Sequence, residues 1–455
     1  MLRSRAKVFA LILVVLSRPG APAVANSGNP ALSETALWLQ SYLRLDTTNP
    51  PGHEEIGAAF LASVLRSAGI ESRTLTSTTG RTSLYARLQG SGSGSIVLLH
   101  HIDVVRQGAA WTLQPFSGAI VAGALVGRGA LDVKSLGIAE LSAFIDLKRQ
   151  GITPRRSVIF LAVADEEAGG GEGSAFVLAK YPELFAGAEL VLNEGGSNRV
   201  VGGEVRWWGV EVAQKRPLWL RVRASGRGGH AAGLQPHSAT HELIEALARL
   251  LALPPAYHVS EPARRYLAAL GPLHGGTLGD TMTHIDRALT PQGPREAMLP
   301  GMANLFLDTV QITVLHASEQ INTVASEASA EIDIRLLPDT DAARFLARVK
   351  IALGNEVETE LLLGSPLGSS SSSDSADWKT IATVLGPAPT VPAFIAGFTD
   401  SRYFRGRNIA AYGISPFALA GDELAGIHGP DERIPLAEFE RGTERMRRLV
   451  QALAR

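Results

Sequence analysis

The sequence predicts an α/β fold: a mixed, largely parallel sheet with helices on both faces, into which a smaller α+β domain is inserted. Three observations carry this. Short, almost wholly apolar runs alternate with helical patterns as far as Lys215, as expected of strands buried on both faces. From residue 216 the strands change character and alternate polar with apolar residues, which suits a sheet with one open face. The chain of 455 residues also exceeds the size at which a single core stops growing.

The elements run in order from the N-terminus. Arg3, Arg5 and Lys7 precede the apolar run Val8 to Leu16, and Ala23 to Ala25 come after a proline-containing break. Basic head, short apolar middle and small-residue site are the order of a secretory signal peptide. Cleavage after Ala25 and export to the periplasm or medium are expected. The run is too short for a stable membrane anchor. Residues 26–215 form the first part of the larger domain. Its first helix is "LSETALWLQSYLRL" with Ser33 as N-cap, and Pro50, Pro51 and Gly52 stop the chain before a second helix, Glu55 to Ala68. Strands "TSLYARLQG", "SIVLLHHIDVV", "SVIFLAVADEE" and "AELVLNEGG" then alternate with helices "SLGIAELSAFIDLKRQG" and "EGSAFVLAKYPELF".

Residues 216–364 are read as the insertion, built from "LWLRVRASG", helix "SATHELIEALARLLAL", strands "TVQITVLHA" and "INTVASEASAEIDIRLLP", helix "DTDAARFLARVKIALG" and strand "VETELLLG". Between Leu253 and Met302 a Pro/Gly-rich stretch predicts loops with short helices. Residues 365–455 return to the larger domain through the serine run Gly368 to Ser375, expected to be a flexible crossing. A last helix, Leu436 to Ala454, ends the chain.

Composition excludes several functions. A net charge of −1 without a basic cluster argues against a nucleic-acid partner. The absence of cysteine rules out disulfides and thiolate metal sites, so any metal must be held by His, Asp and Glu.

Four strands of the larger domain, or the turns after them, lead into the same residue types: His100, His101 and Asp103; Asp132; Glu166 and Glu167; Glu194. Ligands in open α/β sheets bind at the carboxyl ends of strands, so these acids should converge. Any one alone reads as a turn residue or helix cap. Together they would repel unless positive charge sat among them, and a metal pair supplies it. Two divalent ions are balanced by Asp132, Glu167, Glu194 and one hydroxide, with histidines completing the shells. That donor set suits two zinc ions, with cobalt or manganese as substitutes. Glu166, left over, can act as general base. Strand alternation puts His100 and His101 on opposite sides, and His101 shares its side with Asp103. His428 in "GIHGPDERIP" reads equally as the second histidine ligand or as an ordinary loop histidine.

With "DTTNPPG", "HHIDVV", "GRGALDVK", "DEEAGGG", "GRGGHAAG", "TDSRYF" and "HGPDERI" in this order, the chain resembles the M20 metallopeptidases over essentially its whole mature length. That group includes acetylornithine deacetylase, succinyl-diaminopimelate desuccinylase, glutamate carboxypeptidase, aminoacylase and carboxypeptidase S. The resemblance implies a zinc-exopeptidase-like fold whose insertion is a lid and homodimer interface. It implies that His101 and Glu194 share one metal, Glu167 and His428 the other, and that Asp132 bridges them. Asp103 would orient His101, and Glu166 would be the base. His230 would polarise the scissile carbonyl, in the family from a neighbouring subunit. Asn322, Arg335 and Gly397 would hold the substrate's carboxylate. The implied activity is hydrolysis of a peptide or other linear amide bond beside a free carboxylate. A dipeptidase or carboxypeptidase comes first, since export favours peptide scavenging, and an N-acyl-amino-acid deacylase is the alternative. A catalytically silent peptide-binding relative is the non-enzyme alternative. The chain departs from the family pattern at His100, where glycine is usual, at Arg106, and at Asn322 to Ala325.

Overall fold

The computed structural model describes residues 32–290, 293–294, 302–364, 368 and 370–455. The expected signal segment lies outside them. Among the described residues no helix is long and apolar enough to cross a membrane.

The main sheet runs in the order Ser72–Thr76, Thr82–Leu88, Ser157–Val163, Ser95–His101, Ala188–Asn193, Ala410–Gly413, Glu204–Gln214, Thr390–Ile395, with Arg199–Val201 paired beside Glu204–Gln214. Its centre is parallel: Ser95–His101 pairs in parallel with both neighbours, and Ala410–Gly413 extends the parallel run. At one edge, Thr82–Leu88 is antiparallel to both Ser72–Thr76 and Ser157–Val163. Ser95–His101 and Ser157–Val163 are buried along their whole length, which is why both read as unbroken apolar runs.

The two faces have separate cores. Ile96, Leu98 and Phe160 face the layer containing Leu39, Phe144 and Met446, from helices Glu34–Leu43, Lys134–Arg149 and Leu436–Leu453. Val97, Leu99 and Val163 face Val177 and Phe404, from the short helices Phe176–Lys180 and Ser401–Arg405. Ser33 caps the first helix, accepting from Ala36 N–H at 3.0 Å.

A second, antiparallel sheet has the order Thr309–His316, Glu327–Leu336, Arg216–Ser225, Glu358–Leu363. Glu327–Leu336 alternates buried and half-buried residues. The buried face packs on helices Ala239–Leu251 and Ala342–Leu353 through Leu220, Ile332 and Val349.

Three expectations differ from the structure. The helix predicted over 172–185 is broken into a π-turn, Gly171–Ala175, kinked where Gly173 leaves helical angles, a short helix, Phe176–Lys180, and a 3₁₀ turn, Pro182–Phe185, the last break falling where Pro182 cannot continue the helix. The stretch after Leu253 contains a 14-residue helix, Glu261–His274, rather than short helices alone. Its Ala263, Tyr266, Leu267 and Leu270 join the core of the main sheet, not that of the insertion. The serine run is anchored rather than flexible over its second half. Ser371 is buried and its hydroxyl bonds the main chain of Ala411 on both sides, donating at 2.7 Å and accepting at 2.9 Å. Ser375 caps helix Ala376–Leu385.

Candidate active site

The strand-end residues converge as expected. His101, Asp132 and Glu194 form one group, and Asp132, Glu167 and His428 a second; within each, the candidate ligand atoms lie within 4.8 Å of one another. His101 Nε2 is 3.0 Å from Asp132 Oδ1 and 3.7 Å from Glu194 Oε1. His428 Nε2 is 3.0 Å from Asp132 Oδ2 and 3.5 Å from Glu167 Oε1. The two oxygens of Asp132 therefore face different histidines.

Local backbone geometry sets these positions. His101 ends a buried strand, and Asp165, just before Glu166, turns the chain at φ 70°. His428 is also left-handed, at φ 59°. Non-glycine residues in this region are uncommon and cluster at functional sites. Gly170 has φ 67°, and a Cβ there would sit 2.3 Å from Asp400 Oδ1, so only glycine lets that carboxylate approach.

Asp103 does more for the Glu166–Glu167 turn than for the imidazole. His101 Nδ1 bonds the main-chain carbonyl of Asp103 at 2.8 Å, whereas the Asp103 carboxylate stands 3.7 Å away. That carboxylate accepts from the N–H groups of Glu166 and Glu167 at 3.2 and 3.1 Å and from Asn49 Nδ2 at 2.8 Å. His100 points the other way. It is buried 3.3 Å from Glu140 and beside Phe160, and Gly137 leaves room for it.

The electrostatics show a deficit of positive charge. Burial, followed by repulsion from Glu194, pushes Glu166 well above the usual carboxylate range. Burial raises Glu194 to about 8, against the pull of His101, and raises Asp103 to about 7 and Asp400 to about 6. Hydrogen bonds to Asp132 and Glu167 raise His428 to about 10. Oε1 of Glu166 is buried without a hydrogen-bond partner. Unpaired buried carboxylates are costly, and cations among these oxygens and imidazoles would relieve the cost, so the donor set fits a metal pair.

The remaining predicted residues lie elsewhere. Arg335 is paired with Asp333 at 2.6 and 2.7 Å and stacks 4.4 Å over the ring of Phe398, next to Gly397. His230 and Asn322 are exposed. His230 lies in a small ribbon, Gly229–His230 with Thr323–Val324, and neither belongs to the two candidate metal groups.

Sequence reasoning missed several contributors. Asn49 joins Asp103 to Asp165, and Arg81 bonds Asp165 and Glu54. Asp400 adds another buried carboxylate. Arg402 stacks on Phe398 at 4.4 Å, as Arg335 does, and donates to Gly169 O. Asn49 stands within "DTTNPPG" and Asp400 and Arg402 within "TDSRYF", so the motifs held the signal.

The paired carboxylate–histidine groups at the strand ends form a candidate two-metal site. Residues 97–452 match the model of peptidase family M20/M25/M40. The chain belongs to this family and is a hydrolase acting on amide bonds. It is 26% identical to aminoacylase-1 of Sus scrofa over 443 residues, covering 95% of this chain and 98% of that protein. It is 28% identical over 370 residues to the N-fatty-acyl-amino acid synthase/hydrolase PM20D1 of Xenopus tropicalis, covering 78% and 72%. The fold matches an M20 family metallo-carboxypeptidase from Sulfolobus solfataricus with TM-score 0.71 at 17% identity, covering 93% of this chain and 100% of that one.

Proposed function

We propose that this chain hydrolyses the amide bond of a small substrate bearing a free carboxylate, with N-acyl amino acids as the leading class. Two divalent metals, zinc before cobalt or manganese, would be held by His101, Asp132 and Glu194 and by Asp132, Glu167 and His428. The observation that carries this reading is the sharing of Asp132 between two ligand groups, with Glu166 buried and unbonded beside them. Bound metals of this kind polarise a carbonyl and acidify water. Glu166 takes a proton from the attacking water and passes it to the departing amine. Arg335 and Gly397, at Phe398, receive the carboxylate. His230 and Asn322, exposed on the insertion, serve the site of a second copy, which makes the protein a homodimer through this domain. Residues 1–25 direct export.

Sequence alone put a dipeptidase or carboxypeptidase first. The aminoacylase relative, matched over nearly its whole length, supports deacylation instead. The carboxypeptidase whose fold this chain shares keeps peptide hydrolysis as the second reading. A panel of N-acyl amino acids and dipeptides, assayed with and without chelator, tests the proposal. Chelator-sensitive turnover of N-acyl amino acids, lost in Glu166→Gln with two metals retained per chain, is expected. Two metals and no turnover on the whole panel would overturn it in favour of a silent binding protein.

A further inference from the structure

An apolar cavity of about 210 Å³ opens beside Asp132 and Glu194. Its walls include Leu136, Ile414, Phe417, Leu419 and Leu424, the first four almost fully buried. Two polar groups in the lining are already engaged. Asn198 donates to the carbonyls of Ser415 and Phe417 and accepts from Gly209, and Ser197 bonds Tyr266. Helix Glu261–His274 thus supports this wall from behind, and none of the described residues of the 253–302 stretch lines the cavity.

The cationic groups lie outside this lining. Arg335 and Arg402 share the ring of Phe398, and Arg402 bonds Gly169 in the turn after Glu166 and Glu167. Because Asp132 and Glu194 line the cavity, a substrate whose carboxylate is held by the arginines and whose carbonyl lies at those ligands has the cavity next to its carbonyl for its acyl end. A free α-ammonium at that point would lose water and meet no acidic side chain except Asp132 and Glu194, both of which face His101. A hydrocarbon group would lose nothing. An engineered cavity of roughly 150 Å³ with Leu, Ile and Phe walls stays dry and takes benzene.

Resting on the proposed deacylase reading, we infer that this cavity is an acyl subsite that selects a neutral, apolar acyl group of hexanoyl or benzoyl size. Each buried methylene strengthens transition-state binding about fourfold. N-hexanoyl-leucine should therefore exceed N-acetyl-leucine in kcat/KM by about 100-fold or more.

The test is an acyl-length series on the zinc-loaded enzyme, from acetyl to hexanoyl and benzoyl, run beside leucyl-leucine. Leu424→Trp, or the milder Leu424→Phe, fills the rim and should reduce the hexanoyl-to-acetyl ratio to less than about tenfold. Calorimetry on zinc-loaded Glu166→Gln reads the same preference without turnover, with hexanoyl-leucine expected to bind at least about 30-fold more tightly than acetyl-leucine. A flat acyl series, or a ratio unmoved by filling the rim, overturns the subsite and leaves the deacylase reading standing. Cleavage of leucyl-leucine with none of the acyl series overturns the deacylase reading and the subsite with it. Equal binding of the two acyl-leucines overturns the subsite even where nothing is turned over.

Discussion

Stripping the metals should leave a protein that loses stability as pH rises from 5 to 7. Glu194, raised to about 8, and Asp103, raised to about 7, hold protons in the folded state that the unfolded chain has released by pH 5. A carboxyl raised in this way contributes stability that is complete below its unfolded pKa and vanishes as pH climbs through its folded one. His428, raised to about 10, acts in the same sense, with its loss beginning near the ordinary histidine value. Asp132, which the two histidines hold below the usual range against burial, has the opposite sign but titrates below this window; His100, lowered by burial to about 3, opposes the loss inside it, up to the ordinary histidine value, and offsets at most one of the retained protons. One retained proton gives a slope of about −1.4 kcal/mol per pH unit, so even a single group costs about 3 kcal/mol between pH 5 and 7. Lys134 and Lys215, lowered by burial to about 7 and 8, are relieved as pH rises further, which is why the window stops at 7. Zinc replaces the missing positive charge and binds the deprotonated ligands, so the loaded protein should show a flat or rising profile. Urea unfolding at intervals from pH 5 to 7, with chelator and with zinc, measures both slopes. A stripped protein as stable at pH 7 as at pH 5 would refute the charge deficit on which the metal assignment rests.

Other substitutions separate the roles of neighbouring residues. Asp103→Ala should weaken the binding of both metals about 10- to 100-fold, read by competition with a chromophoric chelator, because it frees the turn bearing Glu166 and Glu167 as well as the end of the His101 strand. Arg335→Ala should raise KM about 10- to 100-fold, as expected for a lost charged hydrogen bond, with metal content by emission spectrometry unchanged. Gly137→Ala would place a Cβ 2.3 Å from His100 Cδ2. Overpacking of about 1–3 kcal/mol outweighs a helix gain of about 1 kcal/mol, so the urea midpoint should fall.

Much of this site was legible because the chemistry repeats. Apolar runs marked the parallel strands, and acids after successive strands marked the edge where they meet. Alternation alone separated His101 from His100, which the structure buries against Glu140. What stayed hidden works through the main chain or across long sequence separation. Asp103 bonds two amide groups 63 and 64 residues away, and nothing in its neighbourhood announces them. Helix Glu261–His274 was obscured for another reason. Its buried Ala263, Tyr266, Leu267 and Leu270 do keep helical spacing, but Pro262, Gly271, Pro272 and Gly275 weigh against a helix in any local reading. Pro262 in fact occupies the first turn, where a missing N–H costs nothing.

The C-terminal segment does more than deliver His428. Glu432 is fully buried, and its carboxylate accepts from Arg128 at 2.7 Å and from the N–H groups of Gly129, Leu131 and Asp132 at 3.1, 2.7 and 3.1 Å. The same Arg128 donates to the carbonyl of His428 at 3.2 Å. One buried ion pair therefore fixes both the loop that aims Asp132 and the left-handed turn that aims His428. Removing one partner of a buried pair costs about 3–5 kcal/mol; here the carboxylate meets four donors, while Nε of Arg128 stays without a partner. Asp132 and His428 are brought together across roughly 300 residues of chain, with the insertion between them. Their spacing is thus set by the Arg128–Glu432 contact and not by any local element. The first candidate group, His101, Asp132 and Glu194, depends on the chain's last segment only through Asp132, whereas the second also takes His428 from that segment. Metal occupancy at the His428 side should accordingly be the more sensitive of the two to anything that loosens the C-terminal segment.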